Sequence, residues 1–253
     1  MKQVFACSDL HGSRKFFDII KSKMTYGDVL YVIGDVADRG KNGYAMMKEI
    51  LNHPETYIYL KGNHEDLFVK AAREINDYAH DEGITKSAAF EILKDDYFSA
   101  VGNHFYNGGE PTIRAWLEDG ASMSIINTLN KLPLWTTYKN YDICHSGVLR
   151  GQWLDRGKID DQEFIWNREH FNQVWFEGRW LIHGHTPVEG KPEGFSARFE
   201  IFHFPAQVIN PDTRKIDIDM GNFFSGQQVL FNLTLGEAQI LDKDGSVDEI
   251  QKI

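Results

Sequence analysis

Asp, Asn and His recur in this chain directly after short apolar runs. VFAC is followed by SDLHG, with Asp9 and His11, and VLYVI by GDVADRG, with Asp35, Asp38 and Arg39. YIYL leads to KGNHE, with Asn63 and His64, and YDIC to HSG, with His145. WLI leads to HGHTP, with His183 and His185. Taken singly, each is a polar loop, a core histidine or a turn with an ion pair. Independent surface loops have no reason to select metal-type donors at every one of these run ends. Carboxylate, imidazole and amide oxygen without thiolate suit manganese, iron or zinc rather than a soft, Cys-rich site. The set is too large for one ion, which points to two. Two divalent ions about 4 Å apart repel by about 16 kcal/mol, taking the unit-charge value at an effective dielectric of 20 and multiplying by four. An anion must lie between them, so one carboxylate has to bridge.

A sheet has to position these donors. Val4–Cys7, Val29–Ile33, Tyr57–Leu60, Tyr141–Cys144 and Trp180–Ile182 are short, rich in β-branched and aromatic residues, and read as buried strands. Between the first two, Ser13 can cap a helix whose apolar face carries Phe16, Phe17, Ile19 and Ile20. A second helix is expected over Asn42–Leu51. Strand and helix in alternation predict a largely parallel sheet with helical crossovers, in which ligands sit outside the carboxyl ends of the strands. From Asp66 to Leu132 the pattern becomes helical, interrupted at NHFYNGGEP, with a tight turn expected at Asn107-Gly108-Gly109. No linker marks a boundary, so residues 1–253 are expected to form one domain, with 66–132 a helical insertion. KIDIDM and QQVLFNLTLGEAQILDKDG alternate apolar and polar residues, which predicts antiparallel strands forming or completing a second sheet.

Composition narrows the function classes. Hydrophobic residues make up 42% and charged residues 25%, the profile of a globular chain with a substantial core. With 27 Lys+Arg against 37 Asp+Glu the net charge is −10, which argues against nucleic acid as a partner. The N-terminus carries no signal-peptide pattern and no segment has the length and apolarity of a membrane span, so a cytoplasmic protein without a membrane partner is expected. Cys7 and Cys144 sit in apolar runs and read as buried hydrophobes rather than a disulfide. The aromatic residues Trp166, Trp175, Phe176 and Trp180 read as core packing.

With Asp9, His11, Asp35, Asn63, His145 and His185 in this order, the chain resembles the calcineurin-like metallophosphoesterases. Within them it is most similar to the phosphoprotein phosphatase branch and its bacterial serine/threonine phosphatases. The resemblance implies an α/β fold of two mixed β-sheets packed as a sandwich and flanked by helices. It implies two divalent metal ions, manganese first, with iron or zinc as the other possibilities. Asp9, His11 and Asp35 would hold the first ion; Asp35 would bridge to a second completed by Asn63, His145 and His185. It further implies His64 as general acid, Asp38 as its orienting carboxylate, and Arg39 and Arg168 as phosphate-binding groups. A phosphorylated protein or peptide is the implied substrate. His183 is not the implied ligand, since the family's histidine aligns with His185. Pro187, where nuclease-type members carry another histidine, weakens a nuclease reading. Asp219, at the end of KIDID, is either a site-bordering acid or a turn acid. The alternatives are a dinucleoside polyphosphate hydrolase of the diadenosine tetraphosphate type and, less favoured, a non-catalytic metal-binding regulator. The intact GDVADRG favours the protein-phosphatase side.

Overall fold

Side-chain alternation along the first strand sets the layering of the molecule. In β1 (Val4–Cys7), Val4 and Ala6 point into one hydrophobic core while Phe5 and Cys7 point into another. The computed structural model describes residues 2–188 and 207–253. β2 (Val29–Ile33) and β3 (Tyr57–Leu60) pair with β1 in parallel register, Val4 opposite Val29 and Leu30 opposite Tyr57. The crossovers between them are α1 (Arg14–Lys23) and α2 (Gly43–Leu51), which bury Phe16, Phe17, Ile20, Met46, Met47 and Ile50 on the Phe5–Cys7 side. Ser13 stands at the N-cap of α1, as expected, but its side chain accepts no capping hydrogen bond.

The second sheet contains β4 (Trp135–Tyr138), β5 (Tyr141–Cys144), β6 (Trp180–His183), β7 (Ile209–Asn210) and β8 (Lys215–Asp217), in the order β4-β5-β6-β8-β7. β5, β6 and β8 run parallel, and β4 and β7 pair antiparallel at the edges. Ile143, Ile182 and Ile216 meet Val4, Ala6, Tyr31 and Ile33 in a core between the two sheets. The outer face of the second sheet is covered by a third cluster built from Cys144, Trp153, Phe164, Trp175 and Leu181. The architecture is therefore two mixed sheets packed face to face and flanked by helices, as expected.

One expectation needs correction. The C-terminal strands β9 (Gln227–Asn232), β10 (Glu237–Asp242) and β11 (Val247–Lys252) do not build the second sheet; among them and KIDIDM, only Lys215–Asp217 does so. β9 pairs antiparallel with β1 and extends the first sheet to six strands among the described residues. Their alternation specifies one buried face but not which open edge the hairpin joins. The helical insertion is interrupted within NHFYNGGEP, as expected, at a kink on Gly108. The insertion carries α3 (Asn63–Asp81), α4 (Lys86–Leu93) and α5 (Ala100–His104), and a kinked turn (Phe105–Gly109) joins α5 to α6 (Glu110–Glu118). Gly108, at φ 87°, absorbs the irregularity within that turn. Pro111 lies in the first turn of α6, where its missing N–H costs no helical hydrogen bond. α7 (Met123–Asn130) closes the insertion.

Both cysteines are free and fully buried. Trp175 is buried and Phe176 packs against the outer core, as expected. Trp166 departs from that expectation: it is 37% exposed and sets its ring edge-on to His185. Among the described residues no helix is long and apolar enough to cross a membrane.

Candidate metal centre and active site

The carboxyl ends of β1, β2 and β3 in one sheet and of β5 and β6 in the other converge, and each delivers its polar loop there. Asp9, His11, Asp35, Asn63, His145 and His185 are all buried. Burying so many polar groups demands strong compensating partners. The backbone bears the same mark. Asp9, His11, Asp35, Asp38, Arg39 and His185 all adopt positive φ, between 42° and 69°, although none is glycine. Such conformations cost of order 1–3 kcal/mol each and persist where surrounding contacts over-determine them. Outside these loops only Ala121, Lys139 and Arg214 do so among the described residues.

Asp35 is common to two groups of potential ligands. One is His11, Asp35 and His64; the other is Asp35, His145 and His185. Asp9 adjoins the first, with its Oδ1 3.9 Å from His11 Nε2, which in turn lies 3.8 Å from Asp35 Oδ2. Asn63 completes the second: its Oδ1 is 3.0 Å from His145 Nε2 and 2.9 Å from His185 Nδ1. Backbone carbonyls orient two of the imidazoles. His11 Nδ1–H donates to the Ala37 carbonyl at 3.1 Å, and His145 Nδ1–H to the Ile33 carbonyl at 2.8 Å. Each contact leaves the ring's Nε2 directed at the carboxylates, as carbonyl partners do for metal-binding histidines. The donor set contains no thiolate, and the buried His185 Nε2 has no partner among the described residues. Buried oxygen and nitrogen donors converging on one shared carboxylate fit two hard-to-intermediate divalent cations.

The electrostatics match. Burial opposes ionisation of Asp35, but His145, His64 and His11 around it hold its carboxyl well below the usual range. Burial pushes Asp9 up to about 6 against the pull of His145. Burial disfavours the His145 imidazolium, yet Asp35 and Asp9 overcome this and push the group up to about 10. His11 and His185 go the other way, lowered by burial and then by neighbouring cations and rings. His145 is therefore the group of the cluster whose proton competes with a bound cation.

His64 stands apart from the other potential ligands in its hydrogen bonding. Its Nδ1–H donates to Asp38 Oδ2 at 2.7 Å, and its Nε2 lies 3.4 Å from Arg39 Nη2 and 3.9 Å from Asp35 Oδ2. Arg168 is half-buried, and burial lowers its proton affinity against the charges of Asp35, Asp219 and Asp9, whose field it shares with Arg39. His183 packs on His170 and Phe171, with ring centroids 4.6 and 5.8 Å away. Burial and Lys215 push it down to about 3. It belongs to the outer layer of the second sheet. Asp219 serves the turn, its Oδ1 accepting the Gly221 N–H at 2.7 Å, and also borders the site, since burial and then the Asp9 charge raise its proton affinity.

Three supporting groups have no local signature in the sequence. Glu65 is fully buried and accepts backbone N–H groups of Asp35, Val36, Ala37 and Gly62 at 2.8–3.2 Å, so it pins the GDVAD loop to the start of α3. His104, from the insertion, donates to Asp38. Gly184 is needed for close approach: a Cβ there would lie 2.2 Å from Asp9 Oδ2 and 2.3 Å from Ser8 Oγ. Glu65 follows the Asn-His pair directly, yet only the fold shows what its carboxylate faces.

Comparison with known proteins agrees with this geometry. Residues 2–220 match the family model of the calcineurin-like phosphoesterases, and the chain belongs to that family, whose members are metal-dependent phosphoester hydrolases. A search of curated proteins finds no match. Solved structures share the fold at low identity. A cold-active protein-tyrosine phosphatase from a psychrophilic Shewanella species is 14% identical, with TM-score 0.55, covering 99% of this chain and 81% of that one. A putative diadenosine tetraphosphatase is 13% identical, with TM-score 0.53, covering 100% and 93%. A protein serine/threonine phosphatase from Saccharomyces cerevisiae with similarity to human phosphatase PP5 is 14% identical, with TM-score 0.51, covering 93% and 73%.

Proposed function

We propose that this protein is a serine/threonine protein phosphatase that hydrolyses phosphomonoesters with two divalent ions. The observation that carries the reading is the His64–Asp38 pair at 2.7 Å, whose free imidazole nitrogen faces both Arg39 and the shared carboxylate Asp35. That is where a departing alkoxide, a phosphate and two cations have to meet.

Asp9, His11 and Asp35 would hold one ion and Asp35, Asn63, His145 and His185 the other, with manganese the first choice and iron or zinc the alternatives. When bound, such ions supply an activated water and neutralise phosphate charge. The chain's own groups do the rest. Arg39 offers phosphate oxygens a planar donor fork that a lysine cannot reproduce, and Arg168 adds a second guanidinium. His64 as imidazolium gives its Nε2 proton to the serine or threonine oxygen as the P–O bond breaks, a role worth 10²–10⁴-fold. Asp38 keeps Nδ1 protonated and so fixes which nitrogen faces the substrate. Trp166, partly exposed beside His185, borders the site.

The reading includes a cytoplasmic setting and a phosphorylated protein or peptide as partner, with neither nucleic acid nor membrane. A metal-by-substrate matrix tests it: manganese, iron and zinc against phosphoserine, phosphothreonine and phosphotyrosine peptides and diadenosine tetraphosphate. Fastest turnover of phosphoserine or phosphothreonine peptide with manganese is expected. Faster hydrolysis of the dinucleotide or of phosphotyrosine would reassign the substrate. Inactivity on all of them with every metal would favour a binding role.

A further inference from the structure

His104 reaches the reaction centre from the helical insertion. Its Nε2 lies 2.8 Å from both Asp38 Oδ1 and Asp38 Oδ2, on the carboxylate that receives His64 Nδ1–H. Asp38 and His104 are both fully buried. Asp38 is held ionised: burial opposes this, but His104 first and then His64 push its carboxyl far below the usual range. An ionised carboxylate only accepts hydrogen bonds, so the Nε2 of His104 carries the hydrogen. Its Nδ1 has no partner among the described residues, so the ring's one engaged donor is spent on Asp38.

The surroundings keep that ring in place. Phe68, one helical turn after His64 on α3, lies 5.8 Å from the His104 ring. Gly109 covers it so closely that a Cβ would fall 2.3 Å from His104 Nε2. The same segment holds the backbone of the Asp38–Arg39 pair. Thr112 Oγ1 accepts the Asp38 N–H at 2.9 Å, and the Gly108 carbonyl accepts the Arg39 N–H at 2.8 Å. Asp38 and Arg39 have φ of 69° and 61°, conformations that need such outside support. Residues 104–112 thus grip the general-acid dyad at its carboxylate and at two backbone positions.

We propose that His104 is a positioning residue of the active site, a second imidazole that holds the Asp38 carboxylate in the orientation that receives His64 Nδ1–H. The inference rests on the phosphatase reading of His64 for its kinetic consequence. Without the His104 donor, one side of the buried carboxylate is left unpaired, Asp38 can turn off His64, and proton delivery to the leaving oxygen suffers. Phosphate binding through Arg39 does not.

The test compares His104→Leu, His104→Gln and His104→Asn in the manganese-loaded protein. Gln can place an amide N–H where Nε2 stood, whereas the shorter Asn cannot. We expect Leu and Asn to lower kcat on a phosphoserine peptide by about ten- to a hundredfold, part of the general-acid contribution. KM should stay within about twofold, and kcat on an aryl phosphate, whose leaving group needs little protonation, within about threefold. Gln should recover most of the loss, and Gly109→Ala, which displaces the ring, should reproduce the Leu pattern. In an Asp38→Asn background, His104→Leu should cost less than about twofold more, because the two act as a unit. Equal losses on both substrates, failure of Gln to rescue, or full additivity with Asp38→Asn would overturn the proposal. If the wild-type protein hydrolyses neither substrate, the phosphatase reading fails, and imidazole ¹⁵N NMR still decides this one. His104→Leu should then shift the His64 Nδ1–H resonance, and an unmoved resonance would refute the coupling.

Discussion

Replacing Glu65 by glutamine exchanges one carboxylate oxygen for an amide NH₂ at a position that faces only donors. In the wild-type protein Oε2 accepts the Asp35 and Gly62 N–H groups at 2.8 and 2.9 Å, and Oε1 accepts those of Val36 and Ala37 at 2.9 and 3.2 Å. Whichever way the amide turns, two of the four N–H groups meet another donor. Hydrogen bonds to charged groups contribute about 1.5–3 kcal/mol each, so the direct loss is about 3–6 kcal/mol. Part is offset, because burial and the nearby Asp35 charge raise the proton affinity of Glu65, and the neutral amide escapes that cost. A net loss of about 2–4 kcal/mol is expected, a large share of the 5–15 kcal/mol that holds a domain together. Urea unfolding of the metal-free protein should show a lower midpoint with unchanged slope. Because the same N–H groups set the position of Asp35, manganese affinity by calorimetry should fall about 10–100-fold, as for other groups that orient ligands. A midpoint shift equivalent to less than about 0.5 kcal/mol, with metal affinity within about twofold, would refute the idea that Glu65 pins this loop.

Asp35→Asn should abolish turnover and reduce the metal content found by elemental analysis; retention of two tightly bound ions would remove the sharing role of Asp35. His64→Asn should depress kcat on a phosphoserine peptide by about 10²–10⁴-fold while sparing an aryl phosphate, and parallel losses would exclude His64 as the acid. Metal binding should release protons, with a sign and number set by the cluster. His145, pushed up to about 10 in the metal-free protein, holds a proton that a cation must displace, so apparent affinity rises with pH below that value. Asp9, at about 6, adds a second proton only in acid, and the lowered His11 and His185 add less than ordinary imidazoles would. Calorimetry in buffers of different ionisation enthalpy should therefore detect release of at least the His145 proton, with affinity rising between pH 5 and pH 8, and a pH-independent affinity would contradict the cluster's assignment.

Most of the donor cluster's framework was legible because its determinants are local. An apolar strand that stops at a polar loop shows in a few residues, and Val4–Cys7, Val29–Ile33, Tyr57–Leu60 and Tyr141–Cys144 appear in the structure with those bounds. Trp180–His183 is one residue longer than its apolar run because His183 still pairs, opposite Asp217. The partners of those loops were not legible. His104 is one of ten histidines, 66 positions from Asp38 in the chain, and nothing beside it marks it as a site residue. The interruption expected at NHFYNGGEP was legible, because Gly108 takes the left-handed backbone of a kink and Pro111 enters the first turn of the next helix.

The sequence by itself determined the strands, the loops that end them and the chemical type of each donor, because alternation and residue chemistry act over a few positions. Only the tertiary structure decided which sheet the C-terminal hairpin joins, that Glu65 faces four backbone donors, and that Asp38 stands between two imidazoles rather than one. Those choices depend on which open edge and which buried charge lie nearest in space, and distance along the chain carries no record of that.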